Sequence, residues 1–428
     1  MNETSTDYKN PYRPLPVAII NRLGRFLSAL GLEADLSVDG LIKTAVKRTG
    51  LDDFGDDRIP LRLKVLTDSL ESEARLHYLG RFMSRETILG MLTNRLRMEE
   101  DFKRHPEIEG IEIEDPVFIA GLQRTGTTML QRMIASDGKR FRYLASWEAI
   151  NPAPLPGGSG DNGKDPRVAQ AETAAKALKY LAPDFFAVHP IHAELPEEDC
   201  ILMNYALLSV VPEATQRVPS FSAWLEEQDQ VEAYRFHRRV LKYLTWQNPG
   251  GRWILKTPDH MLHLDALFQV YPNAKIIQTH RDPVKTTASF CSMMAHAYGV
   301  FSDRVDPLEI GVHWTNKAVT MVTRTMRERE KREDSFIDVY YPDLLEDQVR
   351  ELERIYDFVG MEMTGEDRER VRNWQEENPQ YRYGRHRYSL SSFGLTEEDV
   401  DSLFAEYIDT CDVPLERKSA ARVPSARG

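Results

Sequence analysis

Pro116-Val117-Phe118-Ile119-Ala120-Gly121-Leu122-Gln123-Arg124-Thr125-Gly126-Thr127-Thr128 runs straight into Met129-Leu130-Gln131-Arg132-Met133-Ile134. The run up to Gly121 is short, apolar and rich in β-formers. A glycine-containing turn follows, and then an apolar stretch. That order predicts buried strand, loop and helix. Residues 121–128 fit Gly-x-x-x-x-Gly followed by two threonines. A loop of this length can turn its N–H groups inward as an anion nest, and the next helix presents its positive end to the same point. The nucleoside-triphosphatase version carries Lys and then Ser or Thr after the second glycine. Here the lysine position is Thr127, so the cation that neutralises terminal phosphates is missing from that place. A cation stands inside the loop instead, at Arg124. Two glycines alone would fit any strand–turn–helix junction. The strand before, the helix after and the Thr127-Thr128 pair favour an anion site.

Working outward, the chain alternates apolar strands with helical stretches. Phe141–Leu144, Trp253–Lys256, Ala274–Thr279 and Ser335–Val339 read as further strands. Helices are expected over 165–181, 197–208, 230–243, 260–270, 284–294 and 347–359, with a Pro- and Gly-dense loop over 151–164. Strands alternating with helices imply a parallel sheet covered on both faces, an α/β fold with its ligands at the carboxyl ends of the strands. Residues 1–110 are expected as a helical N-terminal extension, 111–415 as the α/β domain, and 416–428 as a disordered tail.

Gln123-Arg124-Thr125-Gly126-Thr127-Thr128 resembles the 5′-phosphosulfate loop of sulfotransferases, which usually reads Pro, Lys or Arg, Ser, Gly, Thr, Thr. The likeness is greatest to a bacterial branch related to tyrosylprotein sulfotransferases, in which arginine fills the cation position. Gln123 replaces the usual proline and Thr125 the usual serine, which keeps a hydroxyl. The resemblance implies a P-loop-like nucleotide-hydrolase fold and a donor, 3′-phosphoadenosine-5′-phosphosulfate, held by Gln123, Arg124, Thr125, Gly126, Thr127 and Thr128.

The family grips the donor's 3′-phosphate with an arginine at a strand end and a serine on the next helix. Arg281, in Thr279-His280-Arg281-Asp282-Pro283, and Ser289 have that spacing. An arginine fork and a hydroxyl suit a phosphate dianion. Asp282 and Pro283 also read as the N-cap and first position of a helix. His280-Arg281-Asp282 imitates a kinase catalytic triplet, but the asparagine, Asp-Phe-Gly and Gly-x-Gly-x-x-Gly elements that belong with it are absent. Lys256, in Leu255-Lys256-Thr257-Pro258, matches the family lysine that reaches the leaving oxygen. The resemblance covers about residues 115–345. Further on, Tyr383-Gly384-Arg385-His386-Arg387-Tyr388 looks similar to a late segment of the bacterial branch, which implies that Arg385 and Tyr388 close over the nucleotide; a solvated loop is the equal alternative.

Arg124 and Lys256 are therefore expected to stabilise the transferred group, and a general base must take the acceptor's proton. Glu148, in Ser146-Trp147-Glu148-Ala149-Ile150, is the first candidate, because the tyrosylprotein branch has a glutamate in a similar place. His192 is the second, because many cytosolic sulfotransferases use histidine. His189, His192 and Glu194 invite a metal reading, but no fourth ligand has the spacing, and no metal is expected. The acceptor group is expected to be a hydroxyl or an amine, on a small molecule or lipid. Phe185, Phe186, Trp224 and Trp246 hint at an apolar one.

Composition sets the outer limits. The chain has 428 residues, net charge −12 and three cysteines, Cys200, Cys291 and Cys411. An acidic balance argues against nucleic-acid partners, and three scattered cysteines give neither a disulfide framework nor a zinc cluster. Met1–Asn10 has no signal-peptide core, and no run of about 18 apolar residues exists for a membrane span. A reducing, cytoplasmic setting is the expectation. Oligomeric state is open. A small-molecule kinase and a non-catalytic binding platform are the rival readings. Thr127 opposes the first. The joint presence of Arg124, Lys256, Arg281 and Ser289 opposes the second.

Overall fold

The computed structural model describes residues 6–157, 165–378 and 387–416. Four helices come first: α1 (Leu15–Ala29), α2 (Val38–Thr49), α3 (Ile59–Ser72) and α4 (Tyr78–Arg104). The first strand, β1 (Val117–Gly121), then leads into helix α5 (Thr127–Ala135). The other strands are β2 (Phe141–Arg142), β3 (Arg252–Lys256), β4 (Lys275–His280) and β5 (Phe336–Tyr340). Every pairing is parallel, in the order β2-β3-β1-β4-β5. The α/β class and the parallel sheet expected from the sequence are therefore present.

The central strand β1 is apolar and buried throughout because both faces of the sheet are covered, and β3 and β4 are buried along most of their length. Val117, Ile119, Ile254 and Ile277 join one core with α5 and the helix Gln348–Phe358. Phe118, Ala120, Leu255 and Ile276 point the other way. They share a continuous core with Leu41, Leu63, Leu89 and Leu96 of α2, α3 and α4. The helical N-terminal segment thus packs directly on the sheet.

Two expected helices are broken, and one cause serves both. Within 197–208 only Cys200–Met203 is α-helical; a short 3-10 turn follows, and Leu207 adopts a left-handed φ of 55°. Within 260–270, a 3-10 turn spans Pro258–Leu262, and the α-helix starts only at Leu264. Asp199 sits 3.0 Å from both His237 and His260, with all three side chains fully buried. Tyr271 and Tyr234 bond the far nitrogens of those histidines, each at 2.8 Å. This buried polar set draws both segments out of helical register. Sequence periodicity has no access to it. The helix expected over 284–294 runs on to Phe301, and a long helix at Pro307–Arg329 was not anticipated.

Candidate active site

Reversal of strand order about β1 opens a crevice at the carboxyl ends of β3, β1 and β4. Register puts Gly121 beside Thr279, and Ile119 beside Lys256. The loop after β1, Lys256 at the end of β3 and Arg281 just past β4 therefore share one edge of the sheet.

The loop's form follows from its residues. A Cβ on Gly121 would lie 2.0 Å from the Thr279 Oγ1, so only glycine lets the strands close up there. Arg124 and Gly126 both have positive φ, 72° and 93°. These are the left-handed turns of an anion nest. Gly126 is the N-cap of α5 and supplies no side-chain cap. The first N–H groups of α5 are thus left for another acceptor. Thr125 is turned inward: its hydroxyl lies 2.6 Å from the Leu122 carbonyl and 2.6 Å from the Thr279 hydroxyl. That side chain ties the loop to β4. Thr127 is buried at the start of α5, and Thr128 is half-buried beside it.

The cations converge here. Arg124 donates from Nε to the Ser289 hydroxyl at 3.1 Å and from Nη1 to the Val188 carbonyl at 3.4 Å. Burial pulls its pKa below the usual arginine value. Arg281 donates from Nη1 to the Arg124 carbonyl at 3.1 Å, and its guanidinium stacks 4.0 Å above the Tyr341 ring. The same ring would meet a Cβ on Gly126 at 2.9 Å, so Tyr341 braces both the loop and Arg281. Sequence reasoning missed this residue, although it directly follows β5, at the same edge. Ser289, expected on a phosphate, is bonded to Arg124, one step from Arg281. Tyr388 is half-buried and close enough to act electrostatically on both arginines. Arg385 lies outside the described residues, as do 417–428 of the expected tail.

Glu416 is described, and it is ordered against the site. Its carboxylate accepts from Arg281 Nε at 2.7 Å and from Nη2 at 3.3 Å, and its N–H donates to Asp282. Burial works against the Arg281 charge, but Glu416 and Tyr341 outweigh it and raise the pKa. Asp282 caps the helix Pro283–Phe301 as its sequence suggests. His280 is a buried link, bonded to Asp338 at 2.8 Å and to Tyr407 at 2.9 Å.

Lys256 is almost wholly buried, and its Nζ lies 2.7 Å from Glu198 Oε1. Glu197, next to it, accepts from the Ser146 hydroxyl at 2.8 Å and from the Glu198 N–H at 3.0 Å. Burial would raise the Glu197 pKa, but His189 and Lys256 prevail and hold it at about 2. Glu148 is placed differently. One oxygen is 2.9 Å from Arg142 Nη2, and the other accepts from the Ala145 N–H at 3.2 Å. It closes the start of a five-residue helix, Ser146–Ile150, and burial raises its pKa. His192 stacks edge-on against Phe186.

A cavity of about 320 Å³ adjoins the loop. Gln123, Glu197, Glu198, Thr257 and Asp259 form its polar end. Phe185, Ile191, Ile201, Phe290, Met294 and Trp314 line much of the rest. Neither Glu148 nor His192 is among the residues that line it. Among the described residues, no group of three or more His, Cys, Asp or Glu side chains is placed to hold a metal ion.

Known proteins share this fold. The profile of the sulfotransferase family matches residues 116–365. Sulfotransferase STF9 from Mycobacterium avium superposes with a TM-score of 0.80 at 28% identity, covering 89% of this chain and 98% of that one. Sulfotransferase STF1 from Mycobacterium tuberculosis H37Rv gives 0.74 at 33% identity, over 86% and 98%. The omega-hydroxy-beta-dihydromenaquinone-9 sulfotransferase Stf3 of Mycobacterium bovis is 24% identical over 339 residues, 75% of this chain and 81% of that protein. With that match spanning the whole sheet and its loop, the chain belongs to the sulfotransferase family and is a sulfotransferase whose donor, as in the family, is 3′-phosphoadenosine-5′-phosphosulfate.

Proposed function

We propose that the enzyme moves a sulfuryl group from this donor to the hydroxyl of an apolar small molecule or lipid, with Glu198 as the general base. The observation that carries the reading is the contact between Lys256 and Glu198, a carboxylate that lines the same apolar cavity as Gln123 of the loop. The chain's own features fit a nucleotide with two anionic ends. α5 begins without a side-chain cap, and Arg281 already holds a carboxylate, that of Glu416, as a stand-in anion.

When bound, the donor supplies an activated sulfuryl group on a phosphate leaving group. The N–H groups of residues 125–128, with Thr127 and Thr128, hold the 5′-phosphate. Arg281 and Ser289 hold the 3′-phosphate end. Lys256 and Arg124 face the charge that spreads over the oxygens in transfer, where fixed cations act most strongly. Glu198 takes the acceptor proton and passes it toward solvent, being the more exposed of the paired carboxylates. Glu197 is a poor base because its pKa is about 2 and it is fully tied by hydrogen bonds. Glu148 is proposed as structural, through Arg142 and the Ala145 N–H. His192 packs against Phe186 and is not among the residues that line the cavity. The cations and N–H groups provide the positive charge, so the transfer is read as metal-independent. An acceptor with a hydroxyl on an apolar body matches the cavity, and the relative from Mycobacterium bovis is named for an omega-hydroxylated dihydromenaquinone.

Replacement of Glu198 by Gln should lower kcat by about 10²- to 10³-fold while leaving the affinity for adenosine 3′,5′-bisphosphate nearly unchanged in calorimetry. Near-normal turnover in that variant, with collapse in Glu148→Gln, would return the base to Glu148. A screen of hydroxylated quinones and long-chain alcohols with labelled donor identifies the acceptor. Retained turnover after chelation is the expected result for a metal-free transfer.

A further inference from the structure

Residues 12–32 hold an unusual share of the exposed apolar surface. Among the described residues, seventeen large apolar side chains stand exposed, and eight fall in this stretch. Within and just beyond α1, Leu15, Ile19, Leu23, Phe26 and Leu30 follow one another at helical spacing and form one outward stripe. Leu15 is 72% exposed, Leu23 63% and Phe26 67%. The opposite face is the one that packs: Val17, Asn21 and Gly24 are buried, and Gly24 lies so close to Tyr78 of α4 that a Cβ would collide with it. The helix is therefore seated correctly, and its apolar stripe is left over.

The charge around the stripe is as uneven. From Tyr8 to Leu32 there are four cations, Lys9, Arg13, Arg22 and Arg25, and no acidic residue, in a chain of net charge −12. Arg13 is ion-paired with Asp303, while Lys9, Arg22 and Arg25 are exposed. An exposed helix with an apolar stripe bordered by cations has the chemistry of an interfacial helix on an anionic lipid surface. A second copy of the chain would bring the same cations against each other.

The helix also stands near the cavity. Just before α1, Pro11 lies within 3.1–3.3 Å of where a Cβ on Gly299 would be, and the next residues of that helix, Val300 and Phe301, line the cavity. Met83 of α4, the helix on which α1 rests, lines it too. We infer that α1 docks the enzyme on anionic membrane surfaces, next to the apolar cavity, so that an apolar acceptor can pass from the bilayer to the site. The docking stands on α1 alone. The transfer of acceptor rests on the function proposed above.

Cosedimentation of the full chain with vesicles of equal phosphatidylglycerol and phosphatidylcholine, against pure phosphatidylcholine, tests the docking. Binding to the anionic vesicles, weakening with salt, is expected. Joint replacement Leu23→Glu and Phe26→Glu should reduce it at least about ten-fold, and Arg22→Glu with Arg25→Glu about three-fold or more. These positions are exposed, so the thermal midpoint and the affinity for adenosine 3′,5′-bisphosphate should stay as in the parent. Absence of vesicle binding at low salt would overturn the inference, as would binding that the Leu23 and Phe26 changes leave intact. A dimer in sedimentation velocity that those same changes dissociate, without vesicle binding, would assign the stripe to a second copy. Vesicle binding without turnover of any apolar alcohol would leave the docking standing and sink the acceptor reading alone.

Discussion

The loop 121–128 and the segment 197–209 border the same cavity, yet their geometry has different origins. The loop is shaped locally. Its left-handed turns at Arg124 and Gly126 and the start of α5 belong to its own short string, and Thr279 and Tyr341 then brace it against the sheet. The segment 197–209 is shaped from a distance. Asp199 is pulled to His237 and His260, Glu198 to Lys256, and Arg62 reaches the carbonyl of Ala206. The donor side is thus a motif, and the acceptor side is an assembly. A motif can be identified from a short string, whereas an assembly appears only once the sheet has brought its parts together.

The largest effect that would test this contrast belongs to Lys256, where the two sides meet. Lys256→Met should lower kcat by about 10³-fold. It should also cost stability, since Glu198 loses its partner in a partly buried place. If turnover survives while only stability falls, Lys256 belongs to the assembly and not to the chemistry. Arg281→Ala comes next. Loss of a fork on a phosphate is expected to weaken adenosine 3′,5′-bisphosphate about 10- to 100-fold by calorimetry, with little change in the thermal midpoint. An unchanged affinity would remove Arg281 from the donor side.

Those two residues also mark how far the sequence could be read. All five strands were legible: β1, β3 and β4 carry apolar runs that the sheet buries, while β2 and β5 at its edges are short and mixed. The cations at their carboxyl ends were legible too, because a strand end is a fixed address. Tyr341 shares that address after β5 and could have been found by the same rule. Glu198 was hidden in Glu197-Glu198-Asp199, which looks like a solvated acidic run. One signal was available: a lysine closing an apolar strand, as Lys256 does, needs an anion near it when buried. Nothing local says which anion. Glu148 drew attention by its place after the loop's helix, and its ties to Arg142 and the Ala145 N–H depend on side-chain directions that spacing does not contain. The stripe on α1 was present in the sequence as helical periodicity. That it faces outward follows only from the packing of Gly24 on Tyr78.

Asp259 offers a test of the assembled side by pH. It is buried at the polar end of the cavity, where burial first, with Glu213 and Glu198, outweighs Lys317 and His260 and raises its pKa to about 6. A carboxyl whose folded pKa lies above its unfolded one holds its proton more tightly when folded. Its contribution is neutral below pH 4, then turns unfavourable as pH rises from about 4 to 6, and is constant above that. Asp259→Asn should therefore stabilise the protein at pH 7.5 by up to about 3 kcal/mol, and by much less at pH 4. Equal shifts in thermal midpoint at both values would show that packing, not charge, accounts for the change.

The smallest expected effect concerns Glu416, which comes from far along the chain to sit on a donor-side residue. Its carboxylate takes two donors of Arg281 and its N–H holds Asp282. A 3′-phosphate on Arg281 would need the same two donors, so the carboxylate must leave or share before the nucleotide is fully gripped. Glu416→Gln keeps the size and the N–H contact but removes the charge. The affinity for adenosine 3′,5′-bisphosphate should rise about two- to five-fold, as expected for one partly exposed ion pair removed from competition. Glu416→Asp, with a shorter reach and the same charge, should give a smaller gain. A loss of affinity in both variants would reverse the relation and make Glu416 a support that orients Arg281 toward the phosphate, which would extend long-range assembly to the donor side as well.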